Sequence, residues 1–193
     1  KALQEKVKTD GKLQPWLAKH GLGHLQGLWT RIHIEQGWEN ALEGALRERL
    51  GALEVSRLEM LRAFAVDAPP AKLAFYSPPS AALPERAGSL PRLSDLLRVN
   101  DAGQKAVLTD WLQGCYTASS FEDALAQRDK LQGGESIYLK SGHVVTAHSV
   151  SFYAQDSEQA GPPARAQDIE HLEKQLRAQQ LIAGESRVAL ARA

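Results

Sequence analysis

The chain has 193 residues, 43% of them hydrophobic, and its 23 Lys and Arg are balanced by 23 Asp and Glu. That is enough apolar material for a packed core, and a formal net charge of zero excludes a globally basic nucleic-acid binder. The single cysteine, Cys115, excludes an internal disulfide framework and fits a reducing, cytoplasmic setting.

No apolar run approaches the roughly 20 residues that cross a bilayer, so no membrane partner is expected. The sequence starts at Lys1 and its one methionine is Met60, so a segment cut from a longer protein, without a leader, is expected. Charge is unevenly spread. Residues 1–22 carry five lysines against Glu5 and Asp10, a basic arm, whereas residues 94–161 carry five cations against nine acids.

Residues 1–20 read as helix with a break at Asp10-Gly11 and a second short helix opened by Pro15. Leu28 to Ile34 alternates apolar and polar over a strand's length. Trp38, Ala41, Leu42, Ala45, Leu46 and Leu50 follow at helical spacing, and Gly51 stops them. Ala52 to Val55 predicts a strand, Ser56 with Glu59 a capping box for a further helix, and Leu73 to Tyr76 a buried strand. Residues 77–93 hold four prolines and Gly88, too turn-rich for regular structure.

The same order then returns. Leu96 to Val99 predicts a strand, Asp101 to Leu112 a helix capped by Asn100, Cys115 to Thr117 a strand, and Phe121 to Leu131 a helix. Leu46 and Leu50 match Leu108 and Leu112 at a constant offset of 62 residues, which supports a pair of pseudo-repeated α/β lobes. Ser136 to Leu139, Val144 to Thr146 and Ser149 to Tyr153 continue as a β-meander. Its last strand is placed at a sheet edge, with Val150 and Phe152 expected to pack on the chain's own helices while the main-chain edge stays free. From Arg165, Ile169, Leu172, Leu176, Gln179, Ala183, Ser186 and Leu190 form a heptad seam. The expected fold class is therefore mixed α/β, with helical coiled-coil segments at both termini.

Candidate chemistry is sparse. Gly21-x-Gly23 with Gly27 lacks the third position of a dinucleotide fingerprint and follows a helix rather than a strand. No Gly-rich loop ends in Lys-Ser/Thr, so nucleotide hydrolysis is not expected of this segment. His20 and His24 have glycines between them and no third ligand nearby, and His143 and His148 fall on opposite faces of a strand, so no metal is expected. Cys115 reads as a small core hydrophobe, and Trp16, Trp29, Trp38 and Trp111 as core or interface anchors. No cofactor is expected.

Over nearly its whole length the sequence resembles the hinge domain of bacterial SMC (structural maintenance of chromosomes) proteins. The stretch from Gly23 to Val55, with GLWTRIHIEQGWENALEGALRERLGALEV, looks like the first hinge subdomain. DLLRV, WLQGCYTASSFEDALAQ and ESIYLKSGHVVTAHSVSFYAQDSEQAG look like the second, and the closing HSVSFYAQDSE resembles proteobacterial members. The resemblance implies an arm over 1–22, subdomains over 23–80 and 94–161 joined by a linker over 81–93, and a second coiled-coil arm over 162–193.

It further implies a homodimer in a cytoplasmic, nucleoid-associated ATPase whose absent heads bind nucleotide and kleisin-type subunits. Many hinges carry glycines in the final hairpin where this chain has His148, Ser149 and Val150. Gly142, His148, Ser149, Val150, Ser151 and Phe152 are the expected dimer contacts, through main-chain pairing with the partner's first lobe. Weak DNA contact falls on Lys6, Lys8, Lys12, Lys19, Arg31, Arg47 and Arg49. The competing reading is an α/β ligand-binding or enzymatic domain with helical extensions, which needs convergent polar groups in a pocket.

Overall fold

The structure, a computed structural model, describes residues 2–81, 84, 87–153 and 175–180. The chain divides into two units, Lys1–Gln159 and Ala160–Ala193. In the second, residues 175–180 are helical and Leu176 is exposed. Of the heptad seam only Leu176 and Gln179 are described; Ile169, Leu172, Ala183, Ser186 and Leu190 lie outside the described residues.

The first unit opens with α1 (Ala2–Lys19), which is continuous through both Gly11 and Pro15. The expected break is corrected here: Pro15 removes one N–H from the ladder without ending the helix, and Gly11 meets open space. The C-terminal half of α1 is anchored, because Trp16 and Leu17 are buried with Leu53 against Phe64, Leu73 and Phe75.

The predicted strand over Leu28 to Ile34 is mostly wound. Leu28–Arg31 is a 3-10 turn, and only His33–Ile34 is strand β1. Thr30 explains this: its N–H and its Oγ1 both donate to the Gly27 carbonyl, at 3.1 and 2.8 Å, a local bond that competes with a ladder. Helix α2 (Glu39–Leu46) runs into a 3-10 turn (Arg47–Gly51) and strand β2 (Leu53–Glu54). Leu58–Ala65 follows as 3-10 helix rather than α-helix. The expected capping box does not form, since the Ser56 hydroxyl is spent on Met60 Sδ at 3.1 Å. Strand β3 (Phe75–Tyr76) pairs parallel with β2, Leu53 opposite Phe75.

After a 3-10 turn (Leu93–Leu96), the second half holds β4 (Leu97–Arg98), α3 (Ala102–Trp111), β5 (Cys115–Thr117) and α4 (Phe121–Gln127). Strands β6 (Ser136–Tyr138), β7 (Val144–Val145) and β8 (Val150–Ser151) complete it. Asp101 caps α3, not Asn100: its carboxylate accepts from the Gln104 N–H at 2.8 Å. Ser120 caps α4 in the same way. Strands β5 to β8 form one sheet in that order, β5–β6 parallel and the rest antiparallel.

The internal repeat is visible in the pairing. Each half places a parallel pair after a helix, β2–β3 after α2 and β5–β6 after α3, and the corresponding strands β1 and β4 join antiparallel, His33 opposite Arg98. The four offset leucines, Leu46, Leu50, Leu108 and Leu112, are all buried in one core with Leu28, Trp38, Leu42, Leu93 and Tyr138. Leu93 has no exposure and Leu90 is buried in a second core with Tyr116, Ala124, Leu131, Ile137 and Val145. The turn-rich stretch thus supplies core anchors. It also accepts hydrogen bonds: Thr117 donates its N–H to the Pro91 carbonyl at 2.8 Å.

Candidate functional site

Strand β8 ends the four-stranded sheet and carries no further strand on its outer side among the described residues. The hairpin fixes which groups face out. The Thr146 N–H donates to the Ser149 carbonyl at 2.9 Å, and antiparallel pairs alternate between bonded and non-bonded. Ser151, opposite Val144, therefore turns its main chain inward to β7, and Val150, opposite Val145, turns its N–H and C=O to the open edge. Phe152 faces out in the same sense, while the Tyr153 N–H turns back to His143 Nδ1 at 2.9 Å.

The side chains of this edge are exposed, Val150 to 38% and Phe152 to 71%. Phe152 makes the expected contact with one of the chain's own helices, stacking on Phe121 of α4 at 5.8 Å, and stands edge-on to His143 at 5.2 Å, yet most of it stays in water. His148 and Ser149 form the exposed tip, tied by Thr146 Oγ1 and Ser149 Oγ at 2.7 Å. Gly142 is buried under Tyr153; at φ +89° a Cβ there would stand 2.7 Å from the Tyr153 ring. Its role is to seat Tyr153 on the hairpin.

A second free edge lies in the first half, which the sequence pattern did not reveal. The Ala74 and Tyr76 carbonyls accept from the N–H groups of Leu53 and Val55 at 2.9 and 2.8 Å, so Phe75 turns its main chain away from β2. No strand pairs there among the described residues. The edge is held firmly. The Tyr76 hydroxyl donates to Glu54 Oε2 at 2.9 Å, and the fully buried Gln104 amide on α3 reaches both groups at 3.3 Å. Arg31 adds an ion pair to Glu54 at 3.6 Å. Burial, then the adjacent Glu54, raises the Tyr76 phenol well above its ordinary value, so it stays a donor. Gln104 occupies a core-facing helical position, where an apolar pattern search passes over it.

The predicted basic residues are not equivalent. Lys6 and Lys8 lie in the part of α1 where the backbone alone is described. Lys19 is paired with Asp67 at 2.6 Å, beside His20 on the same carboxylate at 2.9 Å. Arg31 is engaged with Glu54. Arg49 donates to the Ala45 and Leu46 carbonyls that end α2, with its guanidinium 5.3 Å from the Trp111 ring. Lys12 and Arg47 are exposed and make no ion pair among the described residues.

Cys115 is half-buried, and burial pushes its thiol up, away from the nucleophilic thiolate. The neighbouring Tyr138 phenol is pushed up to about 12, chiefly by burial. Among the described residues no group of three His, Cys, Asp or Glu is placed to hold a metal, and no helix is long and apolar enough to cross a membrane.

Residues 22–128 match the family model of the SMC proteins flexible hinge domain. The chain is 68% identical over 197 residues to the Chromosome partition protein Smc of Delftia acidovorans and 56% identical over 194 residues to that of Burkholderia pseudomallei. Each alignment covers 100% of this chain and 17% of the relative, so the chain spans a minor part of the curated relatives it matches.

Among solved structures, an asymmetric dimer of the Geobacillus stearothermophilus SMC hinge domain aligns with a TM-score of 0.56 at 17% identity, over 96% of this chain and 88% of that one. The Pyrococcus furiosus Smc hinge domain with an extended coiled coil aligns with a TM-score of 0.58 at 16% identity, over 95% and 67%. At such identities these likenesses bear on the fold alone, and the fold agrees with the sequence relationship: the chain belongs to the SMC flexible hinge domain family.

Proposed function

We propose that the chain is a dimerisation module in which β8 of one protomer adds antiparallel to β3 of its partner, joining two coiled-coil arms. The observation that carries this reading is the pair of complementary open edges, one in each half of the repeat. In the second half Ile137 turns its main chain to β7 and pairs with Val145. Phe75, 62 positions earlier, turns its main chain outward in the same way and has no such neighbour among the described residues. The partner's Val150 supplies the missing pair, exchanging both hydrogen bonds with Phe75.

On this reading the arms are 1–22 and 162–193, the subdomains 23–80 and 94–161, and the linker 81–93. The whole protein is then a nucleoid-associated ATPase of chromosome condensation and segregation that encloses DNA and binds kleisin-type subunits through its heads. Lys6, Lys8, Lys12 and Lys19, with Arg31, Arg47 and Arg49, give the hinge a weak, sequence-independent affinity for DNA.

The test is Val150→Pro beside Val150→Ile. Proline removes the outward N–H and is tolerated on an edge strand whose N–H faces away from its own sheet, so the monomer fold survives. Sedimentation at matched concentration is expected to show monomer for the proline variant and dimer for the isoleucine variant. Equal dimer fractions, with both variants folded, would place the interface elsewhere.

A further inference from the structure

The 3-10 helix Leu58–Ala65 carries two large apolar side chains in water, Leu58 at 51% and Met60 at 58% exposure. The helix that carries them packs on β3 through Phe64. Met60 Sδ is bonded to Ser56 Oγ, and the Ser56 carbonyl accepts from the Ser77 hydroxyl at 3.0 Å, one residue past the strand. The side chain of Phe75 lies on the same side of the sheet, with its ring 5.7 Å from Phe64 of this helix. On the other open edge, the exposed Val150 and Phe152 share one face, which the Phe121–Phe152 stack identifies as the α4 side.

Both helices are crossovers between parallel strands, Leu58–Ala65 from β2 to β3 and α4 from β5 to β6. Such crossovers are right-handed. When β8 of one protomer joins β3 of the other antiparallel, equal handedness places the two crossovers on the same face of the combined sheet; a parallel join would place them on opposite faces. The apolar side chains at each edge are then brought to one layer.

We infer that Leu58 and Met60 form the docking surface for the partner protomer's Val150 and Phe152, a side-chain layer roofing the strand pair. This deepens the dimer reading and rests on it. The occupant is a second copy because the helix that carries the patch packs on β3, whose outer side is open, and because the matching exposed residues flank the open edge of β8. Main-chain pairing over so few residues gives little affinity by itself, and the apolar layer supplies the rest.

Two measurements on the full chain decide it. Leu58→Glu with Met60→Glu is expected to raise the dimer dissociation constant about 10- to 100-fold, the effect of keeping two half-exposed apolar side chains out of an interface. The exchange Leu58→Met with Met60→Leu keeps the apolar area and is expected to leave the constant within about 3-fold. A photo-crosslinking residue at Met60 is expected to give a product of doubled mass joined to residues 150–153.

A crosslink within one chain to residues 160–193, or an unchanged constant in the double glutamate variant while Val150→Pro still yields monomer, would overturn the docking surface and leave the strand pairing intact. A dimer that survives Val150→Pro would instead overturn the pairing itself.

Discussion

Phe152 stacks on Phe121 at 5.8 Å with the rings 28° apart, so the residue after β8 is tethered to α4 and yet remains 71% exposed. A large aromatic held in place but left in water is suited to an interface, since little side-chain freedom remains to be lost on association. Phe152→Ala is therefore expected to weaken the dimer by roughly 1–3 kcal/mol while leaving the unfolding free energy of the monomer within about 0.5 kcal/mol. Sedimentation and urea unfolding report the two separately.

The repeat makes a matched prediction about the core. Leu46 has no exposure and Leu108 has 2%, and both sit in the same cluster. Truncating either to alanine removes comparable packing, so each is expected to cost about 2–5 kcal/mol in urea unfolding. A cost below 1 kcal/mol at either site would contradict their equivalence.

Gly142 tests how the hairpin is built. With φ at +89° and the Tyr153 ring where a Cβ would go, Gly142→Ala is expected to destabilise the fold by roughly 1–3 kcal/mol and to displace Tyr153. A stable variant with unchanged near-ultraviolet circular dichroism would refute that packing.

Acid should loosen the base of α1. The lysine at position 19, and then His20, hold the Asp67 carboxyl below its ordinary 3.8. A depressed folded value means the ion pair's contribution is complete above the unfolded value, about pH 4, and is lost as pH falls through the folded value. Asp67→Asn removes that contribution, so the variant should lose less stability than the parent between pH 6 and pH 3 in urea unfolding. Equal losses would mean that Asp67 carries no pH-linked stability.

For DNA, Lys6, Lys8, Lys12 and Lys19 changed together to Glu are expected to weaken binding at low salt and flatten its salt dependence, without changing the dimer. Unaltered binding would remove the arm as the contact. Asp67→Asn, which frees Lys19 from its 2.6 Å pair, is expected to tighten binding by a few-fold.

The elements legible in the sequence are those whose local and tertiary preferences agree. Strand Cys115–Thr117 is legible to the residue because a short apolar run stands between two helices with clear periodicity, and the start of α4 at Phe121 is legible because Ser120 caps it. Where a side chain competes with the backbone, the pattern misled. Alternation from Leu28 to Ile34 fits a strand, yet Thr30 bonds back to Gly27 and winds the first half.

The open edge at β8 was readable from alternation and the polar residues after it. The partner edge at Phe75 was not, because which way a main chain faces depends on the strand beside it, and nothing in Leu73-Ala74-Phe75-Tyr76 records the register with Leu53. Lys19 looked as available as Lys12 until the fold brought Asp67, 48 positions away, onto it.

The solution mass of the chain tests the account most directly. Sedimentation equilibrium at micromolar concentration is expected to give twice the 21.1 kDa of one chain, because joined open edges with an apolar layer make an interface of ordinary size and affinity. A mass of one chain that persists as the concentration is raised a hundredfold would contradict it.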